Sequence, residues 1–88
     1  MTSSGFEKEA KAQLVSAILQ AYDEAYTAEQ IYMVWFSRIL GHMKGMFIDR
    51  GNNNRYYEVT YHSKEDEMYI DMYEKKKNIV VENVSEKG

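Results

Sequence analysis

Apolar positions in the first quarter of the chain return every three or four residues. Phe6, Ala10, Leu14, Ala17, Ile18, Ala21, Tyr22 and Ala25 line up, while Glu7, Lys11, Gln20 and Glu24 fall elsewhere. That spacing is the period of an amphipathic helix with one face on a core. Ser4-Gly5-Phe6-Glu7 has the form of a capping box, a hydroxyl three residues ahead of a carboxylate, so the helix is expected to start there.

From Ile31 onward the period shortens. Thr27-Ala28-Glu29-Gln30 repeats the capping-box form and admits a helical reading of IYMVWFSRIL, but Ile31, Tyr32, Val34, Trp35, Phe36 and Ile39 are β-branched or aromatic and favour a strand. Tyr32 to Phe36 is apolar on both faces, which implies a strand covered on both sides or one whose second face meets a partner. Gly41 and Gly45 interrupt the next stretch, LGHMKGMFID, and mark a bend or a tight hairpin. Asp49-Arg50-Gly51-Asn52-Asn53-Asn54 is a turn sequence, since Gly and Asn accept positive φ.

Two alternating strands come next. Tyr57, Val59 and Tyr61 share one face, with Tyr56, Glu58, Thr60 and His62 on the other. After a turn at Ser63 to Asp66, Met68, Ile70 and Met72 share a face, opposite Tyr69, Asp71 and Tyr73. Lys75 to Lys77 and Asn78 break the alternation before Ile79-Val80-Val81 resumes it as a last strand. These elements predict an α+β fold: an N-terminal helix packed on an antiparallel β-meander of three to five strands with a bent first strand. They form one small domain over 1–88, with 1–4 and 83–88 frayed.

Composition narrows the function. At 88 residues the core is small, so a large enclosed active site is not expected. There is no cysteine, which removes disulfides and thiolate metal sites and suits a reducing compartment. MTSSGFEKEAK lacks the basic and apolar regions of a leader, and no apolar run reaches the roughly 18 residues of a membrane span, so a cytoplasmic location is expected. Net charge is -3 and the pI is about 5.3. Nonspecific nucleic-acid affinity comes mainly from Lys and Arg on phosphates, so direct binding of that kind is not expected and a partner with a basic surface is.

Candidate chemistry is sparse. Glu58, Glu65, Asp66, Glu67, Asp71 and Glu74 cluster in the second half, but Glu65-Asp66-Glu67 lacks the ligand spacing and glycine of a calcium loop and reads as a solvated turn. His42 and His62 have no Cys or His-Glu helical motif to complete a zinc site, and no metal or other cofactor is assigned. Ser37, His62 and Asp71 can be written as a triad, without the strained nucleophile turn that such a triad needs. GHMKG, Gly41 to Gly45, lacks the pattern of a phosphate loop and reads as a backbone bend. No catalytic residue is assigned and the chain is read as a non-enzyme. The candidate partner-binding residues are Tyr56, Glu58, Tyr69, Asp71 and Tyr73, where rings offer contact area and carboxylates offer charge complementarity. Cross-strand tyrosines also stabilise sheets by pairing with each other.

IYMVWFSRILGHMKGMF, RYYEVTY and MYIDMYEKKKNIVV together carry a resemblance. Through Val34-Trp35, Lys44, Tyr56 to Tyr61, Tyr69-Asp71-Tyr73-Lys75 and Asn78, over about residues 27 to 82, the chain resembles a family of small uncharacterised bacteriophage and prophage proteins. It departs from that pattern at Gly41-His42-Met43, where a Gln-Asn-aromatic triplet is usual, so the resemblance assigns that segment no role. It transfers no catalytic residue. It implies an accessory protein in the cytoplasm of a bacterial host cell that acts by protein binding, most concretely an inhibitor of a host defence nuclease, an anti-CRISPR or similar anti-defence protein. The alternative is a nucleotide or small-ligand sponge, with tyrosines stacking on bases and Lys44, Arg38 or Lys75 to Lys77 on phosphate. A homodimer is favoured, because one helix covers only one side of a sheet; the competing arrangement is a partial barrel closed by Ile79 to Val81.

Overall fold

The computed structural model describes residues 1–49, 55–76 and 79–83. Helix α1 (Ser3–Tyr22) leads through a short 3-10 turn (Ala28–Gln30) into strands β1 (Ile31–Ile39), β2 (His42–Asp49), β3 (Arg55–His62) and β4 (Glu67–Glu74). All neighbours pair antiparallel in the order β1-β2-β3-β4, an open meander with the helix on one face.

The helix starts earlier than its capping-box sequence suggests. Thr2, not Ser4, is the N-cap: its hydroxyl accepts from the Gly5 amide at 3.0 Å, and residues 3 and 4 are helical rather than frayed. Asp23 ends the helix at φ 56, its amide returning to the Leu19 carbonyl at 2.9 Å. The second capping-box sequence is also used, with the Thr27 amide donating to Gln30 Oε1 at 2.9 Å, but it caps a single turn that opens directly into β1.

Phe6, Ala10, Leu14 and Ile18, each four residues from the next, are fully buried against Ile31, Met43, Phe47, Tyr57, Val59 and Tyr61. The inner face of β4, Met68, Ile70 and Met72, packs at the margin and is only half-buried. Gly45 sits beneath the helix: a Cβ there would come within 3.0 Å of the Phe6 ring, so the missing side chain is what lets Phe6 reach the sheet. The expected bend at Gly45 is absent, and the β2 ladder runs through it in register.

The two-sided apolar pattern of β1 has a local cause. Met33 pairs with Phe47 and Trp35 with Met46, so Val34 is one extra residue, a β-bulge. The alternation slips there, which puts Ile31, Met33 and Phe36 on the helix side and Tyr32 and Trp35 on the other. No second covering layer is needed to explain Tyr32 to Phe36. Ile79 to Val81 form no strand and are exposed. Three apolar residues offer too few ladder bonds to offset their ordering, and the sheet stays open rather than closing as a barrel. The turn read at Asp49 to Asn54 lies, from residue 50 to 54, outside the described residues, as do 77, 78 and 84–88.

At the end of α1 the polar groups close over the core. Arg55, 5% exposed, ion-pairs with Glu24 and lies over the Tyr22 ring, its guanidinium carbon 3.9 Å from the ring centre. Tyr57 donates to Asp49 Oδ2 at 2.7 Å inside the same region, and Tyr26 donates to Glu24 at 3.1 Å. A buried arginine is thus held between an aromatic face and a carboxylate, which ties the helix C-terminus to β3.

Candidate protein-docking face

The side of the sheet away from α1 carries no covering element among the described residues. Register fixes its rows across the four strands. Tyr32, Ile48, Tyr56 and Tyr73 form the first; Trp35, Met46, Glu58 and Asp71 the second. Ser37, Lys44, Thr60 and Tyr69 form the third, and Ile39, His42, His62 and Glu67 the last. Strand alternation places every one of these side chains on the open face.

All five residues read from the sequence as partner-binding lie here. Tyr56 and Tyr73 stack with ring centres 4.9 Å apart and planes 15° from parallel, an exposed aromatic plate on β3 and β4. Glu58 and Asp71 are register partners, and Glu58 also binds Lys44 Nζ at 3.1 Å. Tyr69 meets His62 edge-on at 4.8 Å, and His62 meets His42 at 4.6 Å. The carboxylates make this half of the face electronegative. The charge of Glu58, with partial burial and Asp71, pushes the Tyr73 hydroxyl above its ordinary range, and Glu67 foremost does the same for Tyr69.

Other sequence candidates are not brought together. Ser37 is opposite Lys44, Asp71 opposite Glu58, and His62 between His42 and Glu67, so the register separates the triad by strands and rows. Asp66 is engaged in the turn, accepting from Tyr61 at 2.8 Å. Among the described residues no group of three or more His, Cys, Asp or Glu is placed to hold a metal ion, and no helix is long and apolar enough to cross a membrane. Arg38 lies on the helix side and donates to the Met1 carbonyl at 3.1 Å.

Sequence reasoning missed what β1 and β2 add. The bulge at Val34 turns Trp35 outward, and a cleft of about 360 Å³ opens beside it, walled by Ile39, Leu40, His42, Lys44 and Thr60. The Gly41 turn signal marked this corner, but the phase of β1 was hidden by the extra residue.

The tyrosines also set an alkaline limit. Burial and donation to Asp49 raise Tyr57, donation to Asp66 raises Tyr61, and Tyr69 and Tyr73 are raised as above. An unfolded tyrosine releases its proton at about pH 10, so above that pH the native state holds protons the unfolded chain has lost. Stability is therefore full below about pH 10 and falls as pH rises toward the higher folded values. Urea midpoints should be level from neutrality to about pH 9.5 and decline beyond it; level midpoints at higher pH would contradict this account.

A protein-family model described as "Family of unknown function (DUF6275)" matches residues 7–83. No curated protein and no solved structure matches the chain.

Proposed function

We propose that this chain, which belongs to the DUF6275 family, is a phage or prophage accessory protein that acts by binding another protein through its helix-free sheet face. One observation carries the reading. Among the described residues nothing covers the sheet face away from α1, and that face has exposed Tyr56, Tyr69 and Tyr73 interleaved with Glu58, Glu67 and Asp71. Aromatic side chains with a charged surround are the composition of binding hot spots, and the charge selects a partner with a basic surface. A nucleic-acid-handling enzyme has such a surface, and in the most concrete form of the proposal the partner is a host defence nuclease whose substrate path is occupied. The role is binding without catalysis.

The test is a titration against a partner recovered from bacterial lysate, run at low and high salt. Charge steering predicts weaker binding at high salt, and Glu58→Lys with Asp71→Lys should weaken it by about tenfold or more. Binding unchanged by both reversals would remove this face from the account.

A second reading, a nucleotide or small-ligand binder, draws on the cleft beside Trp35 and on the amine of Lys44. That amine already faces Glu58, which opposes an anionic ligand. A thermal shift on adding nucleotides would favour this reading over the first.

A further inference from the structure

Two observations at one corner of the open face are not used by the tyrosine and carboxylate field. The first is Leu40. It forms a two-residue hairpin turn with Gly41, and both have positive φ, 50 and 82, as a type I′ turn requires. The first position of such a turn favours Asn, Asp or Gly, and Asn-Gly is its strongest sequence. The chain instead places a leucine in the left-handed region and leaves it 93% exposed. Neither the turn nor the core gains from that choice.

The second is the cleft of about 360 Å³ that Leu40 helps to wall, together with Trp35, Ile39, His42, Lys44 and Thr60. An exposed apolar side chain thus projects from the wall of an apolar hollow on the same surface. A two-fold axis through that corner lets each copy fill the other, which is the closed, self-complementary contact of a symmetric dimer.

We propose that this corner is the interface between two copies of the chain, with Leu40 of each seated against Trp35 in the cleft of the other. The area suffices. Trp35, Ile39 and Leu40, which line the cleft, are 40%, 64% and 93% exposed. At roughly 200 Å² for a fully exposed large side chain, they present on the order of 400 Å² of apolar surface at this corner. The smaller stable interfaces take about 600 Å² from each partner, near 60% of it apolar. Charge selects this half of the face. The outer positions of β1 and β2 carry one full charge, Lys44, already paired with Glu58, whereas β3 and β4 carry Glu58, Glu67 and Asp71, which repel a second copy. The β3–β4 field stays open in the dimer, so this inference does not rest on the proposed function.

Light scattering of the full chain at micromolar concentration is the test. The expected mass is twice 10.4 kDa. Leu40→Asn supplies the favoured Asn-Gly turn, so the hairpin is retained and circular dichroism should be unchanged. Its dissociation constant should rise about 100-fold or more, because the axis removes two buried leucines at once, and Trp35 emission should shift to the red. Tyr73→Ser, on the far strand, should keep the dimer mass. A wild-type monomer mass throughout, a Leu40→Asn variant that remains dimeric, or a Tyr73→Ser variant that dissociates would each overturn the proposal.

Discussion

Phe6→Ala is expected to lower unfolding stability by about 4 kcal/mol, the range for emptying a fully buried aromatic site. Phe6 is wholly buried and lies 5.4 Å from the Phe36 ring and 6.2 Å from Phe47, over the bare backbone of Gly45. Refilling that space requires the helix to move onto the sheet, and the other buried residues of α1 hold it where it is. A domain of this length has a stability of only about 5–10 kcal/mol. The melting temperature should therefore fall by roughly 20 °C or more, read by circular dichroism. A drop of only a few degrees would show that Phe6 is not the main link between helix and sheet.

Tyr57→Phe should cost about 2–3 kcal/mol even though it removes one oxygen and no packing volume. Asp49 is 2% exposed; its Oδ2 accepts from the Tyr57 hydroxyl at 2.7 Å, and Oδ1 has no hydrogen-bond partner among the described residues. Removing the phenol leaves both oxygens of a buried carboxylate without a donor among the described residues. The penalty belongs to Asp49 rather than to the tyrosine, so Asp49→Leu should reduce the cost of Tyr57→Phe to below about 1 kcal/mol. Urea denaturation of the two single variants and the double variant measures this coupling. Equal costs of Tyr57→Phe with and without Asp49 would mean that the hydrogen bond contributes little.

Both effects come from side chains whose place in the core was legible in the sequence. Phe6, Ala10, Leu14 and Ile18 are four residues apart, and Tyr57, Val59 and Tyr61 alternate without interruption, so each period points to one face. The five residues read as partner-binding come from the same alternation in β3 and β4. β1 was not legible, because one inserted residue changes the phase inside a nine-residue strand, and an apolar residue then falls on each side of any regular template. Arg55, Asp49 and Glu24 were hidden for another reason. Their partners are 31 and 8 positions away, Glu24 for Arg55 and Tyr57 for Asp49, and no local spacing records a contact made by tertiary packing. Leu40 reads in the sequence only as part of a strand, since the cost of its backbone conformation is visible once φ is known.

The bulge has a consequence for how the chain tolerates changes of length. Before Val34 the paired positions of β1 and β2 sum to one constant, and after it to that constant plus one. A variant lacking Val34 would restore a single constant along the whole ladder and leave every inward and outward assignment of β1 as it is. Loss of one residue within β2 or β3 has no such escape, because it transfers half a strand from the core to the open face. Single-residue deletion is thus tolerable at Val34 and ruinous a few positions on, and relatives of this chain one residue shorter in β1 can keep the same face without any compensating substitution.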